Sequence, residues 1–284
     1  MDTSLYSVTK IRELLAKYNL APLKSLGQNF LLDQNIVAKI AEAAVEENEY
    51  ILEIGPGMGA LTLSLAARAK KVVAIEIDKG MVSVLQETLA EQKNVEIIHA
   101  DFLALDLAEI QQKYFNGAAF AVAGNLPYYI TSKCIMKVLE TENIELKRFT
   151  AMVQKEVAER LSAMPGEKAY GALTASVAYY GKVETLFDVG KNCFYPAPDV
   201  ASAIVQLTPA RYEGVGRKAY AKVVRTLFAM RRKTVLNNLK AGFSLSSEAA
   251  MCALEKASIA PNARAETLDI SDFAVLANVL EKEN

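Results

Sequence analysis

Tyr50-Ile51-Leu52-Glu53-Ile54-Gly55-Pro56-Gly57-Met58-Gly59 decides how the chain is read. A short apolar run ends in three glycines spaced by single residues, and the pattern over residues 61–69 predicts a helix after them. A glycine turn between a strand and a helix lets backbone approach a ligand closely and aims helix N–H groups at it. Alone the signal is weak, because Gly55, Gly57 and Gly59 followed by Ala60 also fit a dinucleotide-binding pattern.

Outward from this turn the same order repeats. Strands are expected over 72–77, 95–98, 118–123 and 149–153, with helices over 79–91 and 154–161. Strands alternating with helices at this spacing indicate a doubly wound, mostly parallel α/β sheet. Before the turn, residues 7–19 place Val8, Ile11, Leu14, Leu15 and Tyr18 on one helical face, and Asp33 is a plausible N-cap for a helix burying Ile36, Val37, Ile40 and Ala44. After a helix over 171–180 the pattern changes. Strands over 182–189 and 201–207 are joined by a loop too short for a helical crossover, which predicts a terminal antiparallel pair. Beyond it, helices are expected over 220–239, 246–257 and 271–281. A cluster of Pro, Gly and charge at 209–216 places the boundary between a catalytic domain, 1–210, with an N-terminal helical extension, and a small all-helical domain, 211–284.

Lys and Arg total 32 against 33 Asp and Glu, so any polyanion-binding surface must be local. The three cysteines, Cys134, Cys193 and Cys252, lack metal-ligand spacing and argue for a reducing compartment. The first twenty residues are interrupted by charge and no apolar segment is long enough to span a bilayer, so a cytoplasmic protein is expected; the cysteine spacing predicts that it is metal-free, and with no heptad or apolar surface stripe visible a monomer is expected.

Three features fall at successive strand ends. Glu76 can accept hydrogen bonds from both hydroxyls of a ribose, and this holds for a nicotinamide or a methyl-donor cofactor. Asp101 can take a hydrogen bond from an adenine amine, with Phe102 beside it for stacking, and this favours S-adenosylmethionine; the competing role for Asp101 is a helix cap. Asn125-Leu126-Pro127-Tyr128 then supplies what an aromatic amine needs in order to act as a nucleophile. The Asn125 amide oxygen and the Leu126 carbonyl can accept N–H bonds and localise the lone pair, Pro127 fixes the carbonyl's direction, and Tyr128 can stack on the base. Phe194 either packs under its loop or stacks on the substrate base; stacking is the expectation. His99, the only histidine, is given no role.

The segments Gly27-Gln28-Asn29-Phe30-Leu31, Glu53-Ile54-Gly55-Pro56-Gly57, Asn125-Leu126-Pro127-Tyr128, Gln154-Lys155-Glu156-Val157-Ala158, Phe194-Tyr195-Pro196-Ala197-Pro198 and Leu227 through Thr234 closely resemble, in order, the small-subunit ribosomal RNA adenine dimethyltransferases. The resemblance implies a Rossmann-like S-adenosylmethionine-dependent sheet and two methyl transfers to each of two adjacent adenines in a 3′ hairpin loop of 16S rRNA, within an assembling small subunit. It places cofactor contacts on Asn29, Leu31, Gly55, Glu76, Asp101 and Asn125, to which their neighbours Gln28, Gly57, Ile77 and Phe102 are added. Tyr129 departs from the family's usual Asn, and Lys24-Ser25-Leu26 is less basic than the family's segment before Gly27. Lys24, Arg231, Arg232 and Lys233 are the candidate RNA-binding cations. Rival readings are a 23S rRNA adenine methyltransferase, an RNA-binding assembly factor in which catalysis is secondary, and a dehydrogenase, which leaves Asn125 to Tyr128 without a task.

Overall fold

The computed structural model describes residues 3–23, 26–210, 212–230 and 232–282. The N-terminal elements are α1 (Val8–Lys17), β1 (Phe30–Leu31), α2 (Gln34–Ala44), β2 (Tyr50–Ile54), α3 (Ala60–Ala66), β3 (Lys71–Glu76) and α4 (Lys79–Thr88). They continue with β4 (Val95–His99), α5 (Leu107–Phe115), β5 (Phe120–Asn125), α6 (Thr131–Glu140), β6 (Leu146–Gln154), α7 (Lys155–Ser162) and α8 (Ala172–Ala178). Last come β7 (Gly181–Val189), β8 (Phe194–Tyr195), β9 (Ser202–Pro209), α9 (Arg217–Phe228), α10 (Val235–Phe243), α11 (Ser247–Lys256) and α12 (Ile270–Lys282).

The larger of two compact units comprises Met1–Ala158 and Glu184–Pro209. Its seven-stranded sheet has the order β4-β3-β2-β5-β6-β9-β7, with the first five strands parallel and β9 antiparallel to β6. The central strands are largely apolar because both faces are covered, with Glu53 on β2 and Thr150 on β6 as buried polar exceptions. Val37, Ile40 and Ala44 of α2 and Leu61 and Leu65 of α3 pack on Ile51, Val72 and Ala121 of the sheet. Asp33 caps α2, its Oδ1 accepting from the backbone N–H groups of Asn35 and Ile36. From β2 the chain winds toward β3 and β4, and after β4 it returns to β5 on the other side of β2. The reversal opens a crevice beyond the carboxyl ends of β2 and β5, where doubly wound sheets bind ligands. Ile54 pairs with Gly124 there, so Gly55 and Asn125 leave the sheet side by side.

The second unit comprises Glu159–Val183 and Ala210–Asn284. Residues 159–183 therefore belong with the C-terminal helices, which departs from the boundary expected at 210. The reason is packing: Tyr170 and Tyr179 are buried in one cluster with Tyr220, Leu227 and Phe273, and the Tyr179 and Tyr220 ring centroids lie 4.9 Å apart. The single helix expected over 220–239 is also broken, into α9 and α10. Asn238, buried on α10, donates its amide hydrogens to the carbonyls of Leu227 (2.8 Å) and Met230 (3.3 Å), satisfying acceptors that the end of α9 leaves open. Arg232 and Lys233 accordingly lie in an exposed turn, not on a helix face.

Candidate active site

The glycine loop closes tightly on β3. Gly55, Gly57 and Gly59 have φ of 68°, 59° and 92°, left-handed values that side chains with a Cβ rarely adopt. Glu76, buried at the end of β3, accepts from the Gly57 N–H (3.2 Å) and the Asp78 N–H (2.9 Å), so its carboxylate ties the loop to the neighbouring strand. Burial raises its pKa, and the two backbone donors partly offset that. Glu53, on the adjacent strand, is 1% exposed and its Oε2 has no hydrogen-bond partner. Burial, reinforced by the charge of Glu76, pushes its carboxyl up to about 8.

A cavity of about 230 Å³ lies over these groups. Its lining includes Glu53, Glu76 and Asp101, and among the described residues no Lys, Arg or His. Glu53 holds its proton below about 8 and adds no charge at neutral pH, but acidic groups with no base among them suit a ligand carrying positive charge. They oppose a pyrophosphate, and the Gly57 N–H that would meet one is already engaged by Glu76.

Asn125 stands at the mouth of β5. Its Nδ2 donates to the backbone carbonyl of Asn29 at 2.9 Å, and since a carbonyl can only accept, this fixes which end of the amide faces which way. No described hydrogen bond uses Asn125 Oδ1, so the acceptor end remains available. Gly124, just before it, has no room for a side chain: a Cβ there would lie 2.5 Å from the Ile54 carbonyl oxygen. The segment that supplies Asn29 is held in place by several contacts. Gly27 lies against Pro127, Gln28 donates to Asp78 Oδ2 (2.9 Å) and accepts from the Leu23 N–H (2.8 Å), and Phe30–Leu31 pairs with Phe194–Tyr195. Tyr128 is half-buried, with its hydroxyl 2.7 Å from Ser202 Oγ on β9.

The cavity brings together Gln28, Asn29, Leu31, Gly55, Gly57, Glu76, Ile77, Asp101, Phe102, Asn125 and Pro127 from the sequence-predicted set. Asp101 takes the cap role, its Oδ1 accepting from the Leu103 N–H, and the residue also lines the cavity. Leu126 is buried behind the corner, its N–H donating to the Met152 carbonyl (3.2 Å). Phe194 does not reach the cavity. It is 4% exposed and packed with Leu31, Met152 and Ile204, so in this conformation the ring fills the packing role and not the base-stacking one. Lys24 and Arg231 lie outside the described residues. Sequence reasoning gave no role of their own to Glu53 or Gly124, or to Tyr129, which is exposed at the cavity rim. An acid inside an otherwise apolar strand was the available signal for Glu53. His99 bonds the Ile77 carbonyl (3.1 Å) and lines no part of the cavity. Among the described residues no group of His, Cys, Asp or Glu could hold a metal, and no helix is long and apolar enough to cross a membrane.

Residues 22–282 match the family model described as ribosomal RNA adenine dimethylase. The chain is 45% identical over 288 residues to ribosomal RNA small subunit methyltransferase A of Geobacillus thermodenitrificans, covering 99% of this chain and 98% of that one. It is 40% identical to the protein of the same description from Clostridioides difficile, over 97% and 96% of the two chains. Among solved structures, a dimethyladenosine transferase from Plasmodium falciparum superposes with a TM-score of 0.74 at 28% identity, over 89% of this chain and 98% of that one. The 23S rRNA methyltransferase ErmE superposes at 0.69 and 29% identity, over 89% and 100%.

Proposed function

The chain belongs to the ribosomal RNA adenine dimethylase family, and on that premise we propose that it transfers methyl groups from S-adenosylmethionine to the N6 amines of two adjacent adenines near the 3′ end of 16S rRNA, giving N6,N6-dimethyladenosines. The observation that carries the chemistry is the anchored Asn125 amide, which lines a base-free, acidic cavity and whose oxygen has no described hydrogen bond. The donor fits that cavity by charge, having a sulfonium and an ammonium against one carboxylate. Near-full-length likeness to small-subunit enzymes, at higher identity than to ErmE, favours 16S over 23S rRNA.

Bound in the cavity, the donor supplies a methyl carbon on a good leaving group that needs no acid. The chain's residues then have separable tasks. Glu76 receives the ribose hydroxyls at the end of β3, and the exposed Ile77 with Phe102 flanks the adenine, whose amine meets Asp101. Gln28 acts indirectly, by holding the segment that carries Asn29. Asn125 Oδ1 and the Leu126 carbonyl accept the N–H groups of the target amine, so its lone pair points at the methyl carbon. Preorganised acceptors and in-line positioning account for most of the rate. Tyr128, tethered through Ser202, stacks on the extruded base, and Phe194 supports the Phe30–Leu31 wall. A second methylation requires the pocket to accept the monomethylated base. Arg231, Arg232, Lys233 and Lys24 are proposed to grip RNA phosphates in an assembling subunit, which places the reaction in the cytoplasm, with the enzyme acting as a monomer.

Nucleoside mass spectrometry of small-subunit RNA from cells with and without the protein tests this. N6,N6-dimethyladenosine at two adjacent positions, lost on deletion, is expected. Monomethyladenosine alone, or modification confined to large-subunit RNA, would reject it.

A further inference from the structure

Positive charge is not spread evenly along the chain. From residue 214 to residue 247 there is no Asp or Glu, while eight of the 32 Lys and Arg residues fall there: Arg217, Lys218, Lys222, Arg225, Arg231, Arg232, Lys233 and Lys240. On α9 the exposed members are Lys218, Lys222 and Arg225. Their spacing of four and three residues puts them on one side of the helix, over about 10 Å of its axis. The opposite side buries Tyr220, Val223, Val224 and Leu227, which fixes the helix and hence the direction of the basic side. Lys222 Nζ lies 4.5 Å from the centroid of the Phe243 ring on α10, which restrains that cation. Arg232 and Lys233 follow directly beyond the end of α9.

A solvated helix face ordinarily interleaves both signs of charge, because like charges at these spacings repel and weaken the helix. Here three cations follow one another without a carboxylate, and among the described residues none of the three is in an ion pair. Arg217, by contrast, has interactions of its own. We propose that the Lys218, Lys222 and Arg225 side of α9 is a phosphate-binding track for RNA, continuous with the Arg232 and Lys233 turn. The inference rests on the ribosomal RNA substrate proposed above and extends it to a surface in the helical unit.

The test compares the full chain with Lys218→Gln/Lys222→Gln/Arg225→Gln, measuring affinity for protein-free unmodified 16S rRNA and for unmodified small subunits over a salt series. Each phosphate contact contributes roughly 0.7 to 0.9 to the slope of log affinity against log salt, so the variant's slope on both targets is expected to be shallower by about two. Cofactor affinity and melting temperature should not change. A charge-preserving Lys218→Arg/Lys222→Arg/Arg225→Lys chain should restore the slope. A neutral variant that keeps the wild-type slope on both targets overturns the track and leaves the methyltransferase reading standing. A loss seen only with assembled subunits, with protein-free RNA unaffected, overturns it as well, because the partner is then a ribosomal protein. A wild-type chain that binds neither target removes the substrate reading together with the track.

Discussion

At Glu76 one carboxylate is tied to the glycine loop and is also the proposed partner of the ligand. It accepts two backbone N–H groups in the structure, and the ribose hydroxyls are the donors proposed for it when the cofactor binds. Glu76→Ala should weaken S-adenosylmethionine binding by roughly 1.5 to 3 kcal/mol, about ten- to a hundredfold, because charge-assisted hydrogen bonds are lost. Calorimetry showing unchanged affinity would remove Glu76 from the site. Asn125 is the complementary case, since its Nδ2 holds position on the Asn29 carbonyl and its Oδ1 is the proposed working atom. Asn125→Ala should abolish most methyl transfer even at saturating cofactor, and near wild-type single-turnover rates there would refute lone-pair localisation. Glu53 adds a pH dependence. Its folded-state pKa of about 8 stands above the ordinary 4.5, so between these values the folded chain keeps a proton that the unfolded chain releases. Stability of the cofactor-free protein should then be full below about 4.5 and fall as pH rises toward about 8, by on the order of a few kcal/mol. Glu53→Gln should flatten melting temperature against pH in that window, and parallel profiles for the two proteins would show that another group titrates.

Among the elements, the pairing of β2 with β5 sets the geometry of the site. The strands are so close at Ile54 and Gly124 that Gly124→Ala would force a Cβ against a backbone oxygen, a clash that only backbone movement relieves. Overpacking of this kind costs about 1 to 3 kcal/mol. The shift falls on Gly55 and Asn125, so the variant should lose cofactor affinity as well as thermal stability, and a variant that loses neither would mean the sheet gives way more easily than its register suggests. Most strands and helices were legible from apolar period, and β2 has the expected bounds. The two-residue pair of β1 with β8 was not, because two residues carry no period and their partners lie far apart in sequence. The break between α9 and α10 was missed for a related reason: it is held by the Asn238 side chain, which in sequence is one more polar residue in a helical pattern.

For the whole molecule, the division into units makes residues 159–183 depend on the C-terminal helices. The Tyr170 hydroxyl donates to the Leu268 carbonyl (2.9 Å) and that of Tyr179 to the Val215 carbonyl (3.0 Å). A chain ending at Pro209 would keep both tyrosines and lose these acceptors and the Tyr220 ring. It should aggregate or melt well below the full chain, as light scattering and calorimetry would show. A monodisperse fragment with the full chain's cofactor-linked melting shift would mean that residues 159–183 stand without their packing partners.

The sequence by itself determined the main strands of the sheet and most of the helices, the glycine turn, the acids at successive strand ends and the Asn125 to Tyr128 corner, because each depends on local period, backbone freedom or spacing along the chain. Only the tertiary structure decided which side chains face the cavity. It buried Phe194 beside Leu31, turned the Asn125 amide by bonding it to Asn29, 96 residues earlier, and set Glu53 in the cavity wall with its Oε2 unpartnered. Those outcomes depend on contacts between strands and loops distant in the chain, and burial, hydrogen-bond direction and desolvation are fixed only once such segments meet.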